Sequence, residues 1–183
     1  MSAERTPETT VVSRYPPEKF SPPVVTNIVR RARLRTPVSG QATAPVLVVA
    51  ATAGWGKTIF AASWLAAKTS PTMAWVTLDE ADDDPHAFWS AVATALMPEL
   101  TAQAAEQLLR VTAGAVEADY IPRVMATALR LAPGPIALVL DNLHEIRSSQ
   151  VHGGLIRLVQ RPPPNLALLV TTRRDALSRR PLE

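Results

Sequence analysis

Four short apolar runs, at 46–51, 73–78, 136–140 and 166–171, pass directly into polar residues at their carboxyl ends. Aliphatic and β-branched residues fill them without polar alternation, the pattern of strands buried on both faces. The intervals carry helical periodicity. Phe60 and Trp64 lie one turn apart within 58–68, and Phe88, Val92 and Leu96 recur at every fourth position within 85–97. Asp82-Asp83-Asp84 ahead of Pro85 reads as a helix cap with proline at the first helical position. Further helices are predicted over 99–111, closing near Gly114, from a cap at Asp119 through Leu129, and over 148–160, where Gly153-Gly154 weakens the pattern. Strands alternating with helices predict an α/β fold, a parallel sheet with helices on both faces. Ligands bind such sheets at the carboxyl ends of the strands. Residues 54–58, Asp79-Glu80, Asp141-Asn142 and Thr172-Arg173 all fall there.

The first of these clusters is the most specific. Ala51-Thr52-Ala53-Gly54-Trp55-Gly56-Lys57-Thr58 fits the phosphate-binding loop G-x-x-x-x-G-K-[ST] except that Ala51 replaces the first glycine. Composition alone would produce Gly-Lys-[Ser/Thr] roughly 0.02 times in such a chain. Backbone N–H groups of such a loop wrap a phosphate, and the following helix N-terminus adds its dipole. On this reading Ala53, Gly54, Trp55, Gly56, Lys57 and Thr58 hold the phosphates. Lys57 neutralises their charge and Thr58 ligates Mg²⁺. Asp141, delivered by the apolar run Leu138-Val139-Leu140, is the expected second metal-site residue. A strand and three helices separate the two motifs, which predicts an extra strand between the motif strands. Asn142 stands where an acid could orient the attacking water. Arg173 ends the fourth strand and is placed to reach a γ-phosphate. These residues predict a P-loop NTPase core that binds ATP or ADP with Mg²⁺.

Composition narrows the remaining classes. Cysteine is absent from the 183 residues, so there is no disulfide framework, thiol nucleophile or Cys-based zinc site. The three His, at 86, 144 and 152, lack ligand-like spacing. The longest apolar stretch, 45–55, is too short to span a bilayer, and the first twenty residues hold no signal-peptide core. A soluble cytoplasmic protein is the expectation, with no membrane partner. The net charge of +3 rests on Arg and is uneven: the 1–44 and 147–183 segments are basic and 73–99 is acidic. Solvated faces account for such blocks. No helix-turn-helix or aromatic-basic pattern accompanies them, so sequence-specific DNA binding by this chain is not expected. The Pro-rich segment 1–44 reads as an extended, partly disordered arm, with the nucleotide-binding core over 45–183. The four tryptophans read as packing residues.

Taken together, these residues resemble the N-terminal nucleotide-binding domain of MalT-type transcription activators. These are regulators of the LuxR family and of the STAND class of P-loop NTPases. Lys19-Phe20-Ser21-Pro22-Pro23 and Val29-Arg30-Arg31-Ala32-Arg33-Leu34 are similar to the family's N-terminal arm. The aromatic between the two loop glycines fits the family, as does the missing first glycine. Ala74-Trp75-Val76-Thr77-Leu78-Asp79, Asp82-Asp83-Asp84-Pro85 and Phe88-Trp89 resemble its most specific block. Leu138-Val139-Leu140-Asp141-Asn142-Leu143-His144 resembles its Walker B strand, and Thr172-Arg173 its sensor arginine.

The resemblance implies an ASCE-type sheet. It also implies a switch in which ADP holds a resting monomer and ATP with an inducer promotes self-association. It further places Arg31 near the base or ribose. Two features depart from the pattern. The family usually carries a second acid where this chain has Asn142, so hydrolysis is expected to be slow at most. The chain also ends at Glu183, before the helical, winged-helix, superhelical and DNA-binding domains with which the family continues. Two rival readings stay open. A small phosphotransferase of the nucleotide-kinase type would use Asp79, Arg173, Arg174, Arg179 and Arg180 as substrate and lid groups. A degenerate P-loop domain would only bind a partner.

Overall fold

The computed structural model describes residues 15–24, 46–66 and 72–173. Four strands, β1 (Val46–Ala50), β2 (Thr72–Thr77), β3 (Ile136–Asp141) and β4 (Leu166–Thr172), form one all-parallel sheet in the order β1-β4-β3-β2. The fold is α/β, as expected. The strand between the two motif strands is β4, whereas β2, which lies between them in sequence, sits at the outer edge.

Alternation along each strand divides the core in two. Ile136, Leu138 and Leu140 of β3 face a large cluster with Val76, Leu168 and Val170. Ala137 and Val139 face a smaller one with Trp75 and Leu169. Helix α1 (Lys57–Ala66) covers the smaller face with Ala61, Trp64 and Leu65. The larger face is covered by α2 (Pro85–Leu96), α3 (Ala102–Arg110), α4 (Ile121–Arg130) and α5 (Ser149–Gln160). Every β3 residue is therefore buried, which is why its sequence is an unbroken apolar run up to Asp141.

The acidic run divides its labour. Asp84 caps α2 by accepting from Ala87 N–H, with Pro85 at the first position, as expected. Asp82 and Asp79 form a reciprocal capping box over the 3₁₀ turn Glu80–Asp83. Asp83 instead accepts from the backbone N–H groups of Arg147 and Ser148, fastening the stretch before α5. Two expectations fail locally. Asp119 caps no helix. It sits in a 3₁₀ turn, Ala118–Tyr120, and pairs with Arg157 across to α5 at 2.8 Å. The helix predicted over 99–111 starts at Ala102 under a Thr101 cap and loosens into a π turn at Val111–Ala115, where Gly114 takes φ 91°.

Helix α5 runs unbroken through Gly153-Gly154, and packing explains the second glycine. A Cβ on Gly154 would lie 2.8 Å from Trp89 and 2.9 Å from Pro122, so α5 can seat on α2 and α4 only without it. A Cβ added on Gly153 would meet nothing within 4 Å. Gly154→Ala is therefore expected to destabilise the fold by about 1–3 kcal/mol through overpacking. Gly153→Ala should stabilise it by up to about 1 kcal/mol through helix propensity. Urea melts of the two variants check this, and equal effects would contradict the packing assignment.

Candidate functional site

Strand β1 ends in the loop that leads to Lys57, the first residue of α1. Gly54 and Gly56 take φ 77° and 75°, the left-handed region in which side chains are strained. An added Cβ at either position would meet nothing within 4 Å, so backbone conformation rather than crowding calls for glycine. Ala51 is not among the positive-φ residues, so the missing first glycine imposes no strain there. The Lys57 ammonium lies across the loop, donating to the carbonyls of Ala51 at 3.0 Å and Thr52 at 2.9 Å. The helix that follows contributes N–H groups that have no partner inside it. A cation, an open loop of left-handed glycines and a helix N-terminus thus converge on one place.

Asp141 arrives from β3. It is 1% exposed, and its Oδ2 accepts from the Thr58 hydroxyl at 2.9 Å, across 83 residues of sequence. A hydroxyl and a carboxylate side by side next to Lys57 supply hard oxygen donors, which suit Mg²⁺ shared with phosphate oxygens. Among the described residues, no group of three or more His, Asp or Glu forms a dedicated metal cage, and Mg²⁺ sites of this kind do not need one. The other carboxylate oxygen accepts from Thr171 of β4.

Asn142 follows with φ 67°, ψ 39°, the left-handed conformation that Asn tolerates better than most residues. Its N–H donates to the Thr171 hydroxyl at 2.9 Å. Arg173 is exposed immediately after β4, at the same end of the sheet as the loop. Ala53 and Trp55 are exposed on the loop. Trp64, Trp75 and Trp89 are buried, but Trp55 is 74% exposed, so the packing expectation fails for it. Among the described residues, no element covers this tryptophan between the two left-handed glycines. Arg31 lies outside the described residues.

The N-terminal arm holds a feature that sequence reasoning left unread. Residues 17–20 form a 3₁₀ turn against β2, and Lys19 is 6% exposed. Its ammonium donates to Asp82 at 2.6 Å and Asp79 at 2.8 Å. Tyr15 stacks edge-on against Phe20 and its hydroxyl reaches the Ala87 carbonyl. Part of the segment expected to stay extended is thus fastened to the core. Burial pulls the Lys19 ammonium down, but its bonds to Asp79 and Asp82 outweigh that and hold it above the usual lysine value. The Lys19 hydrogen bond holds the Asp79 carboxyl below its usual range, against the opposing effect of burial.

No family model matches the chain. It is similar to proteins called HTH-type transcriptional regulator MalT. Identity is 28% over 159 residues to the protein from Cronobacter sakazakii. It is 29% over 163 residues to those from Yersinia enterocolitica and Serratia proteamaculans. Each match covers 86% of this chain but only 17% of the relative, at its N-terminal part. No helix among the described residues is long and apolar enough to cross a membrane.

Proposed function

We propose that this chain, which is related to the N-terminal part of MalT-type transcriptional regulators, binds ATP and ADP with Mg²⁺ and serves as the nucleotide-controlled switch of such a regulator. The observation that carries this reading is the meeting of Thr58 and Asp141 at 2.9 Å beside Lys57. Two residues far apart in sequence, each needed by the same chemistry, come together where the loop enters its helix. A chance Gly-Lys-Thr would have no reason to face a buried carboxylate.

In this reading the backbone N–H groups of 53–58 bind the phosphates, and Lys57 swings from the loop carbonyls to the β/γ-phosphate oxygens. Thr58 and Asp141 hold Mg²⁺, which when bound neutralises charge on the phosphates. Arg173 reaches the γ-phosphate and so distinguishes ATP from ADP. The exposed Trp55 side chain projects from the loop and is placed to contact whatever docks over the nucleotide. DNA contact is assigned to no residue of this chain. The chain spans about one sixth of the length of the relatives it matches, and we assign the inducer response and self-association to the whole regulator. Acid extraction of the purified chain followed by chromatography tests the reading. Co-purified ADP or ATP, lost on Lys57→Ala, is the expected result.

Turnover is proposed to be slow. Asp141 is engaged on both oxygens, and Asn142 can orient water but cannot accept a proton from it. General-base assistance is typically worth about 10²–10⁴-fold. Asp also tolerates the left-handed backbone at this position, so Asn142→Asp should fold normally. It is expected to raise phosphate release at least several-fold with little change in ATP affinity. A wild-type rate of about 1 s⁻¹ or faster, in the ordinary enzyme range, would show that Asn142 is not limiting. An unchanged rate in the variant would show the same.

A further inference from the structure

Thr171 occupies a position where the preceding residues of β4, Leu168-Leu169-Val170, are all aliphatic. It is 0% exposed. A valine would fill the same space, and a buried hydroxyl is unfavourable unless it is hydrogen-bonded. Here it makes two bonds. A hydroxyl has one proton to give and lone pairs to receive. The Asp141 carboxylate has none to give, so the Thr171 proton goes to Asp141 Oδ1, and the Asn142 N–H donates to the Thr171 oxygen. One side chain of β4 therefore fixes the last residue of β3 and the left-handed residue after it.

The consequence falls on the other carboxylate oxygen. Rotation about the terminal bond of an Asp side chain is broad and roughly two-fold, so a lone contact to Thr58 would leave the carboxylate plane undefined. With Oδ1 tied to Thr171, Oδ2 is the oxygen that faces Thr58. The χ1 torsion of Thr171 is stiff because the residue is β-branched, and its full burial leaves no room for water to replace the hydroxyl.

We infer that Thr171 is a positioning residue for the Mg²⁺ site, setting the Asp141 carboxylate and the Asn142 backbone without touching nucleotide or metal. This inference rests on the nucleotide-binding reading and adds a residue to it. It predicts a defect confined to the Mg²⁺-dependent part of binding, because the Thr171 hydroxyl bonds to Asp141 and Asn142 and to no residue of the phosphate loop.

The test is ADP binding to the full chain by calorimetry, in EDTA and across an Mg²⁺ titration, for wild type, Thr171→Val and Thr171→Ser. Thr171→Val should lower apparent Mg²⁺ affinity about 10–100-fold, as for other residues that orient metal ligands. Its Mg²⁺-free ADP affinity should match wild type, and Thr171→Ser should recover the Mg²⁺ response. Thr171→Ala carries the same expectation should the valine variant not fold. A hydroxyl-free variant with wild-type Mg²⁺ dependence would overturn the inference. So would equal loss of ADP affinity with and without Mg²⁺, which marks a merely structural role. Wild-type protein that binds no ADP under either condition would instead overturn the nucleotide-binding reading itself.

Discussion

Replacing Lys19 by Met should cost about 3–5 kcal/mol of folding stability, because it strands a buried carboxylate. Asp82 has a side chain 2% exposed and lies 2.6 Å from the ammonium. Its remaining partner is the Asp79 N–H at 3.0 Å, which cannot balance a full charge. Asp79 is 60% exposed and can be solvated, so the loss is concentrated at Asp82. The double variant Lys19→Met/Asp82→Asn keeps an acceptor for that N–H, removes the stranded charge, and should recover at least half of the loss. The pH dependence has a definite sign. Asp79 is held below its ordinary value of 3.8, so the stability it contributes is present above that value and is lost as pH falls through the lowered one. Lys19 is held above 10.5, so its contribution is complete below 10.5 and disappears as pH rises through the raised value. The gap between wild type and Lys19→Met should therefore be widest across the neutral range and narrow at both ends. Urea unfolding at a series of pH values checks both statements. A gap that stays constant into acid would contradict the ion-pair account.

Lys57→Ala should weaken Mg²⁺-ATP binding by about 2–4 kcal/mol, the usual consequence of deleting one member of a charge-paired contact. The folded state loses only two bonds to loop carbonyls, at 3.0 and 2.9 Å. Stability should therefore fall by no more than about 1 kcal/mol. That asymmetry distinguishes a ligand-facing lysine from one that merely closes its own loop. Calorimetric titration beside a urea melt of each protein reads it. A large stability loss with unchanged nucleotide affinity would reverse the assignment.

Features fixed by pattern at one place in the chain were legible in the sequence. The apolar runs became the four strands because burial on both faces leaves no polar alternation, and their ends shifted by a residue or so. Motif spacing and strand context were enough to place Thr58 and Asp141 at one end of the sheet, where they lie 2.9 Å apart, and to mark Gly54 and Gly56 as positions of special backbone conformation. What stayed hidden depends on partners that only folding brings together. Thr171 looks like one more β-branched strand residue until Asp141 lies beside it. Lys19 sits in a proline-rich arm with no apolar period, so nothing local marks it as buried, and its partners follow some sixty residues later. Asp83 and Asp84 are indistinguishable as neighbours in an acidic run, yet one caps α2 and the other holds the backbone ahead of α5. Asp119 has the composition of a cap, but Arg157 on α5 competes for its carboxylate. Trp55 is apolar, yet it stands on a loop that no described element covers, so hydrophobicity alone does not imply burial there.

We propose that the 51–58 loop and Asp141 form one Mg²⁺-nucleotide site. Calorimetric titration of nucleotide-stripped protein with ATP and with ADP, each with Mg²⁺ and with EDTA, tests it most directly, with a cooperative urea melt on the same sample to establish folding. The account predicts one saturable site for both nucleotides, strengthened by Mg²⁺ and weakened by Lys57→Ala. A folded sample that gives no saturable heat with either nucleotide would contradict it.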